Sequence, residues 1–262
     1  YDTQSPIELA RQYVDYLGWF DKVKILLKEI TKSQLVACMN PTAGSFTITP
    51  RMQRHFATFS FVMPSAEIVR SIYAGMMEGH LSAFDPDVAK LGPKVVDATI
   101  DLHKQVSNNF MPSAVKFHYQ WNLRELTNVA QGMCRMIRSA YSDPLNAVRL
   151  WVHEVERVFL DRLINESDSE RFSELRVAVT KKYFDDFKPE EVEERPLIMT
   201  GFLNFTPDDS PIYCAVASYD LLKKTLDEQL ASHNETNAVM ELVLFQQAME
   251  HVTRISRIIG LP

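Results

Sequence analysis

Two arginines one helical turn apart, in the run Arg51-Met-Gln-Arg54-His55-Phe56, are suited to holding phosphate oxygens. A guanidinium presents a planar fork of donors that matches such oxygens two at a time. Ordinary surface ion pairs would use the same groups with no ligand at all. Asn40 follows an apolar run ending at Cys38. Strand ends of α/β sheets are where ligands bind, so its amide could hold a water or a terminal phosphate. As the residue before Pro41 it also fits a plain turn. A third arginine, Arg124, falls in the first turn of a helix opened by Asn122, where the helix dipole already favours anions. It could add its charge to a phosphate site, or pair with Glu125 or Asp101.

Other chemistries fail on spacing. His153-Glu154 is followed by Arg157 where an H-E-x-x-H zinc site needs its second imidazole, so no metal ligands are assigned. The chain has no G-x-S-x-G turn for a nucleophilic serine. It also has no G-x-x-x-x-G-K-[ST] loop, so it lacks the backbone nest that cradles a triphosphate. Cys38, Cys134 and Cys214 are widely spaced with no C-x-x-C, and are expected to be buried small apolar groups in a reducing, cytoplasmic setting. The net charge of −6, from 28 Lys and Arg against 34 Asp and Glu, coats no face for phosphate backbones, and no run is long and apolar enough to span a membrane. Neither nucleic acid nor membrane is an expected partner.

The elements that must position these residues are mostly helical. Only 8 glycines in 262 residues argue against a hairpin-rich fold. Ser5-Pro6-Ile7-Glu8 carries cap, first-turn proline and acid, and predicts a helix from Ser5 to near Gly18. Leu35–Cys38 and Thr58–Val62 read as two strands of a mostly buried sheet. After Pro64 the spacing becomes helical, with Ile68, Ile72 and Met76 on one face after a cap at Ser65, and Val96, Ile100 and Val106 on the next helix. Asn122 with Glu125 opens a further helix, and Asp143-Pro144 opens one with Leu145, Val148, Val152, Val155, Phe159 and Leu163 on one side. Residues 65–165 therefore read as all helical. From Asn165 to Pro196 the chain is charged, with six acidic and four basic residues between Lys181 and Arg195, which marks a solvated connector and a domain boundary. Asn237 is expected to cap a last helix with an apolar stripe of Leu242, Phe245, Met249, Val252, Ile255 and Ile259, whose core partner the chain does not supply.

The expected order of these parts resembles the second half of an AAA+ ATPase module: a strand ending in a polar residue, an arginine pair before the next strand, then a helical lid with an arginine at a helix start. The run Ala37-Cys-Met-Asn-Pro-Thr-Ala-Gly-Ser-Phe-Thr-Ile-Thr-Pro-Arg-Met-Gln-Arg-His-Phe56 closely resembles the third AAA+ module of dynein heavy chains of the axonemal type. Tyr1 to Gln12 resembles the stretch after that module's acidic strand, and Phe117-His-Tyr-Gln-Trp-Asn-Leu-Arg-Glu-Leu126 its sensor 2 helix. Asn237 to Phe245 and His251 to Ile259 resemble the helix entering the fourth module.

The resemblance implies a mainly α fold with a small α/β part. Residues 1–64 would be the C-terminal part of an AAA+ core, 65–165 its helical lid, 166–196 the connector and 197–262 the start of the next module. It implies Asn40 as sensor 1, Arg54 with Arg51 beside it as arginine finger acting in trans, and Arg124 as sensor 2. It further implies a parent microtubule motor in the axoneme of a cilium or flagellum, within the cytoplasm and cytoskeleton, that hydrolyses ATP to ADP with Mg²⁺. Its partners would be the neighbouring AAA+ modules of the same chain, microtubules and other dynein chains. The segment alone, lacking the P-loop and paired acids, is expected to bind no nucleotide. An apolar strand and a glycine-rich loop are expected after Pro262, and an apolar strand closed by paired acids before Tyr1. The rival reading is an independent helical interaction or scaffold module whose arginines serve only ion pairs.

Overall fold

A computed structural model describes residues 5–39, 49–206 and 210–260, and two compact units divide between Met63 and Pro64. In the first unit, helix α1 spans Ser5–Tyr16, with Glu8 in its first turn where the dipole favours an acid. Leu17 takes a left-handed φ of 55°, and its N–H bonds back to the Tyr13 carbonyl at 2.7 Å, which turns the chain out of the helix. Strand β1 (Gly18–Phe20) then pairs antiparallel with β2 (Leu27–Glu29). A Cβ on Gly18 would lie 2.3 Å from the Lys28 carbonyl oxygen, so the pairing needs a glycine there. Buried Tyr13 packs against the Trp19 ring at 5.2 Å, tying the hairpin to α1. A single helical turn, α2 (Pro50–Gln53), follows.

The predicted strands Leu35–Cys38 and Thr58–Val62 do not form. Among the described residues neither has a ladder partner, and Val36, Phe59, Phe61 and Val62 are exposed. A helix closes its backbone hydrogen bonds on itself, whereas a strand needs a neighbour to accept and donate them. Cys38 is exposed and Cys134 and Cys214 only half-buried, contrary to the expected burial of all three.

The second unit is helical with one hairpin. α3 (Ala66–Leu81) is capped by the Ser65 hydroxyl, which accepts from the Ile68 N–H. It buries Val69, Tyr73, Met77 and Leu81, while the expected face of Ile68, Ile72 and Met76 is exposed. After the turn α4 (Pro86–Ala89), α5 (Leu91–Asn109) buries Val96 and Val106 as its spacing predicts. α6 (Leu123–Met133) precedes α7 (Pro144–Val158), which Asp143 caps by accepting from the Leu145 N–H at 2.9 Å. Val148, Val152, Val155 and Phe159 are fully buried along the predicted stripe. Each such side chain is worth about 1.5–3 kcal/mol of burial.

A 3-10 turn (Leu160–Arg162) leads into α8 (Glu166–Tyr183). This is the stretch whose charge predicts a solvated connector. It instead packs on α5 and buries Phe172 and Val179, and α9 (Pro189–Val192) buries Val192. β3 (Met199–Phe205) and β4 (Pro211–Ala215) form an antiparallel hairpin that the sequence reading did not predict. α10 (Tyr219–Thr236) ends at Asn237, which closes this helix rather than opening the next. α11 (Gln246–Ile259) turns Met249, Thr253 and Arg257 inward and leaves Ile255 and Ile259 exposed. No helix among the described residues is long and apolar enough to cross a membrane.

Candidate functional site

Pro50 opens α2 and Met52 anchors it by burial, which leaves the flanking Arg51 and Arg54 at the surface. Positions three apart share one side of a helical turn. The Arg54 side chain is 65% exposed, and its Nη2 lies 3.5 Å from Asp15 Oδ1. That carboxylate is already engaged by Arg11 and by His55 Nε2, the latter at 2.9 Å. Arg54 Nε also donates to His55 Nε2 at 3.3 Å. Exposed contacts of this kind contribute little, about 0–1 kcal/mol, so Arg54 can exchange them for an anion at small cost. Among the described residues Arg51 has no ion-pair partner. Asn40 lies outside the described residues.

Arg124 is set in the first turn of α6. Its helix starts where it does because Glu125 accepts from the Asn122 backbone N–H at 2.6 Å, completing a capping box. Both carboxylates that could have neutralised Arg124 are engaged elsewhere. Glu125 is buried and accepts from Arg162 Nη2 at 2.8 Å. Asp101 accepts from Lys182 Nζ at 2.7 Å, from Gln105 and from the Tyr183 hydroxyl. Arg124 is exposed, with no ion-pair partner among the described residues, at the helix end whose dipole repels a cation. Such a placement is unfavourable in isolation and becomes favourable with an anion in front of it.

Arg162, which spacing alone did not single out, ties this corner together. Its Nη1 donates to the Gln120 carbonyl at 2.8 Å and its guanidinium covers the Trp121 ring at 5.0 Å. His118 Nε2 meets the Arg162 carbonyl at 3.1 Å. Beside it Asp168 accepts from the Tyr119 hydroxyl at 2.8 Å and pairs with Lys116, which holds its carboxyl below the usual range. These partners are far apart in sequence, so no local pattern marks them.

The failed zinc motif has a different use. His153 is fully buried with Nδ1 3.1 Å from the Leu197 carbonyl, and burial pushes it well below the usual histidine value. Glu154 is fully buried and accepts from the Tyr213 hydroxyl at 2.7 Å and from the Arg257 guanidinium. A Cβ on Gly132 would lie 1.9 Å from Glu154 Oε2, so α6 needs a glycine to admit this carboxylate. Arg135 stacks on the Tyr213 ring at 3.7 Å. The network joins α6, α7, the hairpin and α11, and its buried charge is structural. Among the described residues no cluster of three or more His, Cys, Asp or Glu is placed to hold a metal ion. Of the site residues read from sequence, Arg51 and Arg54 share one turn of the first unit, and Arg124 belongs to the second.

Residues 95–194 match the AAA+ lid domain family, and residues 1–64 match the P-loop containing dynein motor region family. The whole chain is 62% identical to a segment of the dynein beta chain of the flagellar outer arm of Chlamydomonas reinhardtii. It is 45% identical to a segment of the ciliary dynein beta chain of Heliocidaris crassispina, and 43% identical to one of dynein axonemal heavy chain 11 of Sus scrofa. In each case all of this chain is covered, and it spans 6% of the relative's length. With a lid match over the helices that carry Arg124 and Arg162, and a motor-region match over the unit that carries Arg51 and Arg54, the chain belongs to the axonemal dynein heavy-chain family, as a segment of its AAA+ motor region.

Proposed function

We propose that this segment completes nucleotide sites of an AAA+ ring that it cannot build alone. The observation that carries this reading is Arg124, exposed at the start of α6 with both candidate carboxylates, Glu125 and Asp101, held by other groups. In this reading Arg124 acts as sensor 2 and Asn40 as sensor 1 on the module's own site, and α3 to α8 serve as the lid over it. Arg54, with Arg51 beside it, reaches in trans to the neighbouring module's site. There it faces charge that develops on a transferring phosphoryl group, where preorganised cations act most strongly. Residues 1–64 then end an AAA+ core, and residues 197–262 begin the next module.

Each donor fits one side of its own phosphate site: Arg124 as an exposed guanidinium at a helix start, and Arg51 with Arg54 as exposed guanidinium groups on a short turn. ATP with Mg²⁺, bound by the parent chain, supplies the phosphoanhydride bond. This chain's residues orient it and offset its charge. The parent is then an ATP-hydrolysing motor that works on microtubules in the axoneme, with neighbouring AAA+ modules and other dynein chains as partners. The interaction-module reading leaves Arg124 without a use.

The test uses the full-length heavy chain. Arg54→Ala should lower turnover at the neighbouring site, with about 10³ to 10⁵ as the upper bound set by GTPase arginine fingers. If that site only holds nucleotide, retention should fall instead. Arg124→Ala should weaken MgATP binding at its own site, and more so at low ionic strength, because its charge is screened as salt rises. Unchanged turnover and retention in both variants, at wild-type stability, would return these arginines to the surface-pair role.

A further inference from the structure

We infer that Arg162 is a positioning residue for Arg124, an inference that rests on the nucleotide reading above. Arg124 has no partner of its own among the described residues, so its direction depends on the backbone of the first turn of α6. That turn is fixed at the Asn122–Glu125 capping box, whose carboxylate is buried and so needs a cationic partner. Arg162 Nη2 supplies that partner at 2.8 Å. The same guanidinium holds the strand of chain entering the helix, through the Gln120 carbonyl at 2.8 Å and the Trp121 ring at 5.0 Å. His103 Nε2, from α5, meets the Asn122 carbonyl at 3.1 Å. Three separate contacts from one side chain thus converge on the two residues before the cap and on the residue after Arg124.

Binding groups must be held to within about 0.5 Å of the productive geometry to be useful. Arg162, on the 3-10 turn after α7, therefore transmits the position of that corner to the anion-facing end of α6. A change at the α7–α8 corner reaches the nucleotide through this side chain without touching it.

Binding of mant-ATP with Mg²⁺ to the full-length heavy chain tests this by a double-mutant cycle, in which the signal lost in Arg124→Ala defines the site. Arg162→Gln removes the fork. Glu125→Gln keeps a residue able to complete the capping box but removes the charge that Arg162 holds. Each single variant should weaken the Arg124-dependent affinity by about 2- to 30-fold. Added to Arg124→Ala, neither should weaken binding further. A merely structural role would instead lower the melting temperature and leave the losses additive, which overturns the inference. Wild-type affinity in both single variants also overturns it and leaves the nucleotide reading standing. No loss in Arg124→Ala itself overturns that reading, and the inference with it. If Arg162→Gln fails to fold, Glu125→Gln carries the cycle alone.

Discussion

Phe61 is 94% exposed and Phe159 is 0% exposed, though each sits among other apolar residues. The difference lies in how the two units close their backbone hydrogen bonds. In residues 64–262 the apolar rows lie on helices, which satisfy their own N–H and C=O groups and can then pack freely. Trp151, Phe159, Phe172 and Phe184 gather there into one core. In residues 1–63 the apolar runs Leu35–Cys38 and Thr58–Val62 would have to be strands, and a strand without a neighbour gains neither its ladder nor its burial. A region built on pairing depends on what stands beside it, and a region built on helices does not.

The largest test of this contrast is at the charge buried inside the helical unit. Glu154→Gln leaves Arg257 without its counter-charge, and breaking such a pair costs about 3–5 kcal/mol. The urea midpoint of residues 64–262 should fall accordingly, while the signal of Trp19 in the first unit is unaffected. Glu154→Leu with Arg257→Met should recover most of the loss, because a matched apolar replacement of a buried pair is often neutral. Gly132→Ala should cost about 1–3 kcal/mol, since the added Cβ meets Glu154 Oε2 at 1.9 Å. A midpoint unmoved by Glu154→Gln would mean that the network is not what joins α7 to the hairpin and α11.

A smaller effect is expected from pH. Burial lowers His153 far below the usual histidine value, and lowers His103 and His80 less. Below about pH 6.5 the unfolded chain takes up protons that the folded unit refuses, so stability falls as pH drops from there. For His153 the slope is at most about 1.4 kcal/mol per pH unit. The urea midpoint should be lower at pH 5.5 than at pH 7.5, and His153→Gln should narrow the gap. An equal gap in the variant would assign the acid response to other groups.

The smallest effect belongs to the first unit. Phe61→Ser removes no buried contact, so stability should stay within about 0.5 kcal/mol. A loss of several kcal/mol would show that this run is packed after all.

The caps were the most legible part of the fold. Ser65, Asp143 and the Asn122–Glu125 pair all act where their types and spacing place them, because capping is a local exchange of hydrogen bonds. The stripe from Val148 to Phe159 was legible because one face alone is apolar. The inward face of α3 is not legible because the helix carries two adjacent apolar rows, and only packing decides that Val69, Tyr73 and Met77 face inward. The inward face of α11 is not legible because it holds Thr253 and Arg257, which spacing rules count as surface. α8 was hidden by its charge, since buried Arg176 is neutralised by Glu193, far from it in the chain. The hairpin of β3 and β4 had a usable signal in Thr206-Pro-Asp-Asp-Ser-Pro211, a turn composition between two apolar runs. Of the candidate site, residue types and local placement were legible at Arg51, Arg54 and Arg124. The partners around them, Asp15 beside Arg54 and Arg162 beneath the start of α6, are not legible, because each acts across a long stretch of chain.

We propose that these residues complete nucleotide sites whose phosphate nest lies outside them. Calorimetric titration of the isolated chain with MgATP tests this most directly. No saturable heat is predicted, because the chain lacks the glycine-rich loop and lysine that hold the β- and γ-phosphates. Micromolar binding with one-to-one stoichiometry would contradict it.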